Sequence, residues 1–359
     1  MALGTRERLS RVPSSSEWEG LYDEADRQAI VGLLLCGLER LPAEQLPPLE
    51  VKLQWIGETQ MVEFQNKVMD KRCVEMLGML EKAGLRGTVL KGQGIARLYD
   101  QDLMTRRQPG DIDVYVDCGL EKAMDFAKTL GQNDVSWSYK HLHLQLWEDT
   151  EVEVHYRLEF LYNIIKNRRL QRWFKEHEEM LFDGRQQMGD GKGELVTPSV
   201  EMNVFYILLH IYRHFLHEGV GLRQIVDYYF VLKAAYDLGQ SGLDIFHQTS
   251  SIVHSFGMER FAKGLMWVMK EVLGMPQEWM PWEPDEREGK YILAQVMEGG
   301  NFGHYSSKKT RLTGGLGYVL NTVRNSLHLM WRYPSEALWA PVWLVWHKGW
   351  KVVKQIQLA

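Results

Sequence analysis

VLKGQGIARLYDQDLMTRRQPGDIDVYVD (residues 89–117) contains the two features on which the fold turns. An apolar run enters a Lys-Gly-x-Gly turn at Lys91, Gly92, Gln93 and Gly94, and a later segment reads Asp111, Ile112, Asp113, Val114. Glycine permits backbone that a side chain forbids. A strand that runs into such a turn and then a helix offers N–H groups and a positive helix end to an anion. In a strand, successive side chains alternate faces, so Asp111 and Asp113 point one way and Ile112 and Val114 the other. Two like charges roughly 6–7 Å apart repel unless a cation sits between them. Mg²⁺ suits such a pair, because it prefers carboxylate oxygens and brings phosphates with it.

A third carboxylate follows in EVEVHYR, where Glu151, Glu153, His155 and Arg157 share one face and Val152 and Val154 the other. If this strand neighbours DIDVYV, Glu153 completes a three-acid site. Three acids with two metals are a recurring arrangement for phosphoryl and nucleotidyl transfer, because the ions hold the attacking and leaving oxygens in line. Lys91 can add a cation beside the turn, and Arg106 or Arg107 can neutralise a triphosphate.

Around these motifs, GTVLKG reads as a buried strand, GIARLYD as a short helix, DIDVYVD as a strand and LEKAMDFAKTLG as an amphipathic helix. HLHLQLWE and EVEVHYRLEF read as a hairpin turning at Asp149 and Thr150. The predicted order over residues 85–160 is β-α-β-α-β-β. On the N-terminal side, EADRQAIVGLLLCGLERL is predicted as one helical segment ended by Pro42, Pro47 and Pro48, and a long helix follows up to Gly84. Helical periodicity returns after Phe160, broken by the glycine-rich turn MGDGKGEL and by EGGNFGHYSSKKTRLTGGLG, a linker or a lid. The fold class is therefore α+β: a helical N-terminal segment (1–84), a small mixed-sheet core (85–160) and a helical C-terminal domain (161–359).

The chain has 359 residues, 45% hydrophobic and 25% charged, as in ordinary globular proteins, and a formal net charge of −5. There is no global basic field to hold nucleic acid by counterion release, which argues against a nucleic-acid partner. Cys36, Cys73 and Cys118 show no CxxC spacing, so neither a disulfide framework nor a zinc knuckle is expected. The apolar run IVGLLLCGL is too short to span a bilayer. A cytoplasmic protein with no membrane contact is expected.

The stretch from Val89 resembles the nucleotidyltransferase superfamily related to DNA polymerase beta, marked by a Gly-Ser turn, then hydrophobic-Asp-x-Asp/Glu, then a later acidic strand. More narrowly, VLKGQGIARLYD, RRQPGDIDVYV and VEVHYRL look like the bacterial family of uncharacterised nucleotidyltransferases. A weaker likeness continues through LLHIYRHFLHEGVGLRQIVDYY and RYPSEALWAPVWLVWHKGW. The resemblance implies that Gly92 takes the turn position, Asp111 and Asp113 the metal pair, and Glu153 the third acid. It places Lys91, Gln93, Arg106 and Arg107 on the phosphates, and His155 beside Glu153, positioning the acceptor or buttressing the acid. It implies Mg²⁺, or Mn²⁺, as cofactor and an NTP, with ATP the expected donor, as substrate. Gln93 stands where the superfamily has Ser, Glu153 where Asp is more common, and the loop from Gly94 to Gly110 is longer than usual.

Other groups carry weaker signals. His210, His214 and His217 lie along one predicted helix and can wall the nucleotide cleft, bind a metal or pack. Arg223 and Asp227 have i, i+4 spacing, suited to an ion pair, with Arg223 alternatively reaching substrate phosphate. Trp339, Trp343, Trp346 and Trp350 form a helical stripe expected to dock on the protein body or on a partner subunit. The functional expectation is metal-dependent transfer of a nucleotidyl group from an NTP to an acceptor that the sequence does not name. The alternative is a non-catalytic nucleotide-binding or antitoxin-like protein acting through a partner.

Overall fold

Alternating apolar residues build the centre of the molecule, as a computed structural model describes it for residues 1–187, 193–301, 323–324 and 326–358. Five strands, β1 (Gly87–Val89), β2 (Ile112–Val116), β3 (Ser136–Trp137), β4 (His141–Trp147) and β5 (Thr150–His155), form one mixed sheet in the order β1-β2-β5-β4-β3. β2 and β5 run parallel, and the other neighbours run antiparallel. Ile112, Val114, Val116, Leu142, Leu144, Val152 and Val154 share one apolar cluster on one face. The helix Leu49–Lys82 adds Met69, Cys73, Met76 and Leu80 to that cluster, and Leu120–Thr129 adds Phe126 and Ala127. Period two therefore sends the intervening residues, Asp113 and Glu153 among them, to the opposite face.

In chain order the helices are α1 (Ser15–Arg27), α2 (Val31–Glu39), α3 (Leu49–Lys82), α4 (Lys91–Ala96), α5 (Gln101–Met104), α6 (Leu120–Thr129), α7 (Ile164–Glu176), α8 (Val200–His217), α9 (Leu222–Tyr236), α10 (Gln240–Phe256), α11 (Glu259–Glu271) and α12 (Glu286–Gly299). A short turn of helix, Pro334–Ala337, and a C-terminal helix, Ala340–Leu358, follow. α8 starts at Ser199, whose hydroxyl accepts from the Met202 N–H at 3.1 Å and so satisfies one of the orphan donors of the first turn. α8 and α9 are buried along nearly their whole length and cover the acidic face of the sheet.

The mixed α+β architecture expected from the sequence is the one observed. Three local expectations are corrected. The segment expected as one helix before Pro42 is two, α1 and α2, separated at Ala29, which has φ 55°. Distant groups impose the break: the Gln28 amide donates to the Val296 carbonyl at 3.2 Å and accepts from the Leu222 N–H at 2.9 Å. The glycine-rich stretch MGDGKGEL is flanked by strand rather than by helix, since β6 (Gly184–Gln187) and β7 (Glu194–Thr197) pair antiparallel. Four-residue strands are too short for alternation to announce them. β3, with two residues, is shorter still and shows no alternation. Residues 188–192 of the β6–β7 connection, and most of the stretch expected as linker or lid, lie outside the described residues. Among the described residues no helix is long and apolar enough to cross a membrane.

The tryptophan stripe docks on the body. Trp343 is buried and stacks on Phe160, with ring centroids 4.7 Å apart and planes 15° from parallel. Trp350 meets Trp137 edge-on at 5.6 Å.

The second glycine of the Lys-Gly-x-Gly turn is required by close packing. A Cβ on Gly94 would lie 2.8 Å from the Val89 carbonyl oxygen and 3.4 Å from Thr197 Cγ2, so β1 and β7 press directly on the α4 backbone. Gly94→Ala is expected to destabilise the fold by about 1–3 kcal/mol, because backbone has to move. Gly78→Ala, in α3 with nothing within 4 Å of the new methyl, is expected to be neutral or to stabilise by about 0.5–1 kcal/mol. Urea denaturation midpoints of the two variants check this; equal midpoints would contradict it.

Candidate active site

β2 and β5 are parallel neighbours in a register that sets Asp113 opposite Glu153 and Tyr115 opposite His155. Asp111 enters just before β2, on the same side as Asp113. One oxygen from each of Asp111, Asp113 and Glu153 lies within 4.8 Å of the others, so the three sequence-predicted acids come together. His155, also buried, bridges two of them: its Nε2 is 2.8 Å from Asp113 Oδ1 and 3.1 Å from Glu153 Oε2.

Cations balance much of this charge. Lys91 Nζ stands 2.6 Å from Asp113 Oδ1. Burial alone would lower the Lys91 pKa, but Asp113, with Tyr206, Glu153 and Asp111 behind it, holds the ammonium well above its ordinary value. Burial likewise opposes charge on His155, and hydrogen bonds to Asp113 and Glu153 outweigh it, so the imidazole is raised and protonated more readily. For Glu153, burial is overcome by hydrogen bonds from His141 and His155, which keep the carboxyl far below its usual range. Among the described residues no histidine does the same for Asp111. Asp113 beside it, and then burial, push its carboxyl up to about 6. An excess of negative charge therefore collects at Asp111, which is what a divalent cation would offset.

The turn before these acids has an unusual backbone. Gly92 has φ 32° and ψ −113°, and Lys91 itself has φ 42°. A non-glycine residue there stores strain of about 1–3 kcal/mol. The Lys91–Asp113 pair and the Leu90 N–H, which donates to the Asp113 carbonyl at 2.8 Å, hold the turn against β2.

The remaining sequence candidates divide by position. Lys91, Gly92, Arg107, His214 and Arg223 line a cavity of about 360 Å³ over the acids. Gln93 turns away, its amide donating to Asp70 at 2.6 Å. Arg106 also lies off the cavity, held by Glu63 at 2.8 Å and Glu39 at 2.5 Å. Arg107, though on the cavity wall, is engaged twice by Asp227, at 2.6 and 2.8 Å. Arg223 donates to the Gln108 and Pro109 carbonyls at 3.0 and 3.3 Å, and its burial near Arg107 brings its pKa down to about 10. Arg157 sits behind the wall, its guanidinium 4.4 Å from the centre of the Tyr139 ring.

Several site residues escaped sequence reasoning. His141, on the cavity wall, and His143 beside it share the polar face of β4 next to β5, and HLHLQLW carried that signal in its alternation. His141 Nδ1 is 2.7 Å from Glu153 Oε2, and burial brings its imidazole down to about 4, leaving it neutral. His141, Glu153 and His155 also place ligand atoms within 4.8 Å of one another. Glu159, Lys140, Arg213 and Tyr139 line the cavity from loops and a distant helix, where no local pattern marks them, and Trp343 of the tryptophan stripe joins them. His210, His214 and His217 wall the cavity, and among the described residues they belong to no three-residue metal cluster.

A protein-family model described as "Uncharacterised nucleotidyltransferase" matches residues 14–274. Comparison with curated proteins and with solved structures yields no match. The matched span takes in the Lys-Gly turn, the three acids and the α8–α9 wall, and it covers well over half of the sequence. This chain belongs to the family of uncharacterised nucleotidyltransferases, and so to the enzymes of nucleotidyl transfer.

Proposed function

We propose that the chain transfers a nucleotidyl group from an NTP to an acceptor in a divalent-metal-dependent reaction, with ATP the first donor to examine. The observation that supports this best is the meeting of three carboxylates across the parallel β2–β5 pair, directly beside the Lys-Gly turn and inside the cavity. Asp111, Asp113 and Glu153 would hold Mg²⁺, which when bound offsets the charge of the triphosphate and of the developing transition state. Mn²⁺, which takes the same carboxylate oxygens, would be held by the same three acids.

In this reading each of the chain's own groups has a task. Lys91 meets a phosphate oxygen while remaining paired with Asp113. Gly92 lets the backbone approach the phosphates without a side chain in the way. His155 is a positioning residue that fixes Asp113 and Glu153 relative to each other through a single nitrogen. Arg107 and Arg223 hold residues 108–111 at the rim, and with them Asp111. The acceptor oxygen bonds to the α-phosphorus, the bond to the leaving pyrophosphate breaks, and the acceptor's proton is released. The closeness of Glu153 to Asp113 favours this over a binding-only or antitoxin-like role, in which the third acid need not reach the metal. Free Cys36, Cys73 and Cys118 are in keeping with a reducing compartment such as the cytoplasm.

Asp111→Asn and Glu153→Gln are expected to abolish magnesium-dependent thermal stabilisation by nucleotide, which at 100 times Kd amounts to about 2.7 kcal/mol in the wild type. The far-ultraviolet circular dichroism should not change. Arg106→Ala, anchored off the cavity, should keep the full stabilisation. Undiminished turnover in both acid variants would sink the proposal.

Metal removal gives a second check. Exhaustive chelation should reduce turnover to background, with Mg²⁺ or Mn²⁺ restoring it. Turnover that survives chelation would rule out the metal-dependent form of the reaction.

A further inference from the structure

The cavity does not end at the acids. Along α8, Tyr206 lies in the field of Lys91 and Asp113. About 10 Å farther along the axis, at about 1.5 Å per residue, comes Arg213. Its side chain is only 6% exposed, and its guanidinium is held between the rings of Phe160 and Tyr162, at 4.2 and 4.1 Å from their centres. Nε and Nη1 nevertheless have no hydrogen-bond partner among the described residues. The nearest carboxylate, Glu159, stays 3.9 Å from Nε. Its Oε2 is drawn instead to Lys140 at 3.1 Å and His210 at 3.5 Å. Buried guanidinium donors without acceptors are costly and rare in folded proteins, and the residue that carries them lines the cavity.

The chemistry of the two ends differs. At the acid end three carboxylates gather. At the α8 end Arg213 and Lys140 bring a guanidinium and an ammonium to the lining, with Tyr139, Phe160 and Trp343 forming an aromatic wall. Nε–H and Nη1–H leave opposite edges of the guanidinium, so Arg213 and Lys140 offer an oxyanion separate charge-assisted hydrogen bonds rather than one bidentate fork.

We propose that the Arg213 end of the cavity is the acceptor subsite, and that it takes an acceptor bearing an oxyanion, a phosphate or a carboxylate, on the Arg213 guanidinium with Lys140 alongside. This rests on the nucleotidyl-transfer reading for the word acceptor, and on the Arg213 geometry alone for anion binding. The acceptor's nucleophilic oxygen then lies toward the acids, about two helical turns from its own anionic group.

Calorimetric titration of inorganic phosphate and of acetate into the full chain tests this, with and without a saturating magnesium complex of a non-hydrolysable ATP analogue. At least one anion is expected to bind wild type. Arg213→Gln should weaken it at least tenfold, and Arg213→Lys should weaken it less. Asp111→Asn should leave it unchanged, and the analogue should not compete. Should Arg213→Gln fail to fold, Arg213→Lys with Lys140→Met carries the same comparison. Anion affinity that survives loss of Arg213, or competition from the analogue, overturns the proposal. So does weakened analogue binding in Arg213→Gln, which would put the donor's own phosphates there. Wild type that binds nucleotide but neither anion overturns this subsite alone. Wild type that binds an anion at Arg213 but no nucleotide overturns the transfer reading and leaves the anion site standing.

Discussion

The buried ion pair between Lys91 and Asp113 is the contact on which the site depends. It joins the turn after β1 to the middle of β2, and it stabilises the positive φ that Lys91, unlike a glycine, adopts only at a cost. His155 then ties the same Asp113 oxygen to β5. Breaking such a pair by removing one partner typically costs about 3–5 kcal/mol, because the other charge stays buried and unmatched. The geometry of the acids is thus locked by charge as well as by the sheet ladder. A constellation held this way keeps carboxylates close together that would otherwise repel.

The loop leading to Asp111 is fixed from both sides. Asn66 of α3 donates to the Thr105 and Arg107 carbonyls at 2.8 Å each, and Arg106 reaches Glu39 and Glu63 on α2 and α3. From the other side, Arg107 pairs with Asp227 of α9, and Arg223 holds the carbonyls of Gln108 and Pro109. Two adjacent arginines therefore fasten the same loop to the N-terminal and C-terminal helices. The helices outside the sheet are part of the site, since they determine where Asp111 stands and supply the far wall of the cavity.

The sheet and the three acids were legible because period-two alternation and the Lys-Gly-x-Gly turn are local signals. Ile112, Val114, Val152 and Val154 announce the core face, and the acids between them follow. The roles suggested for Gln93 and Arg106 rested on proximity along the chain. Their side chains are engaged by Asp70, Glu39 and Glu63, partners on helices far away in sequence. The break at Ala29 was illegible for the same reason, since its determinants are Val296 and Leu222.

The sequence by itself determined which residues bear charge and which faces of the strands are apolar, because those properties repeat over a few residues. It also carried enough of the motif order to indicate the family. Only the tertiary structure decided that β2 and β5 are parallel neighbours in register, that His141 joins Glu153, and that Arg213 faces the same cavity as Asp111. Those juxtapositions come from packing between segments remote in the chain. A buried charge takes its partner from whatever the fold brings within about 3 Å, not from its neighbours in sequence.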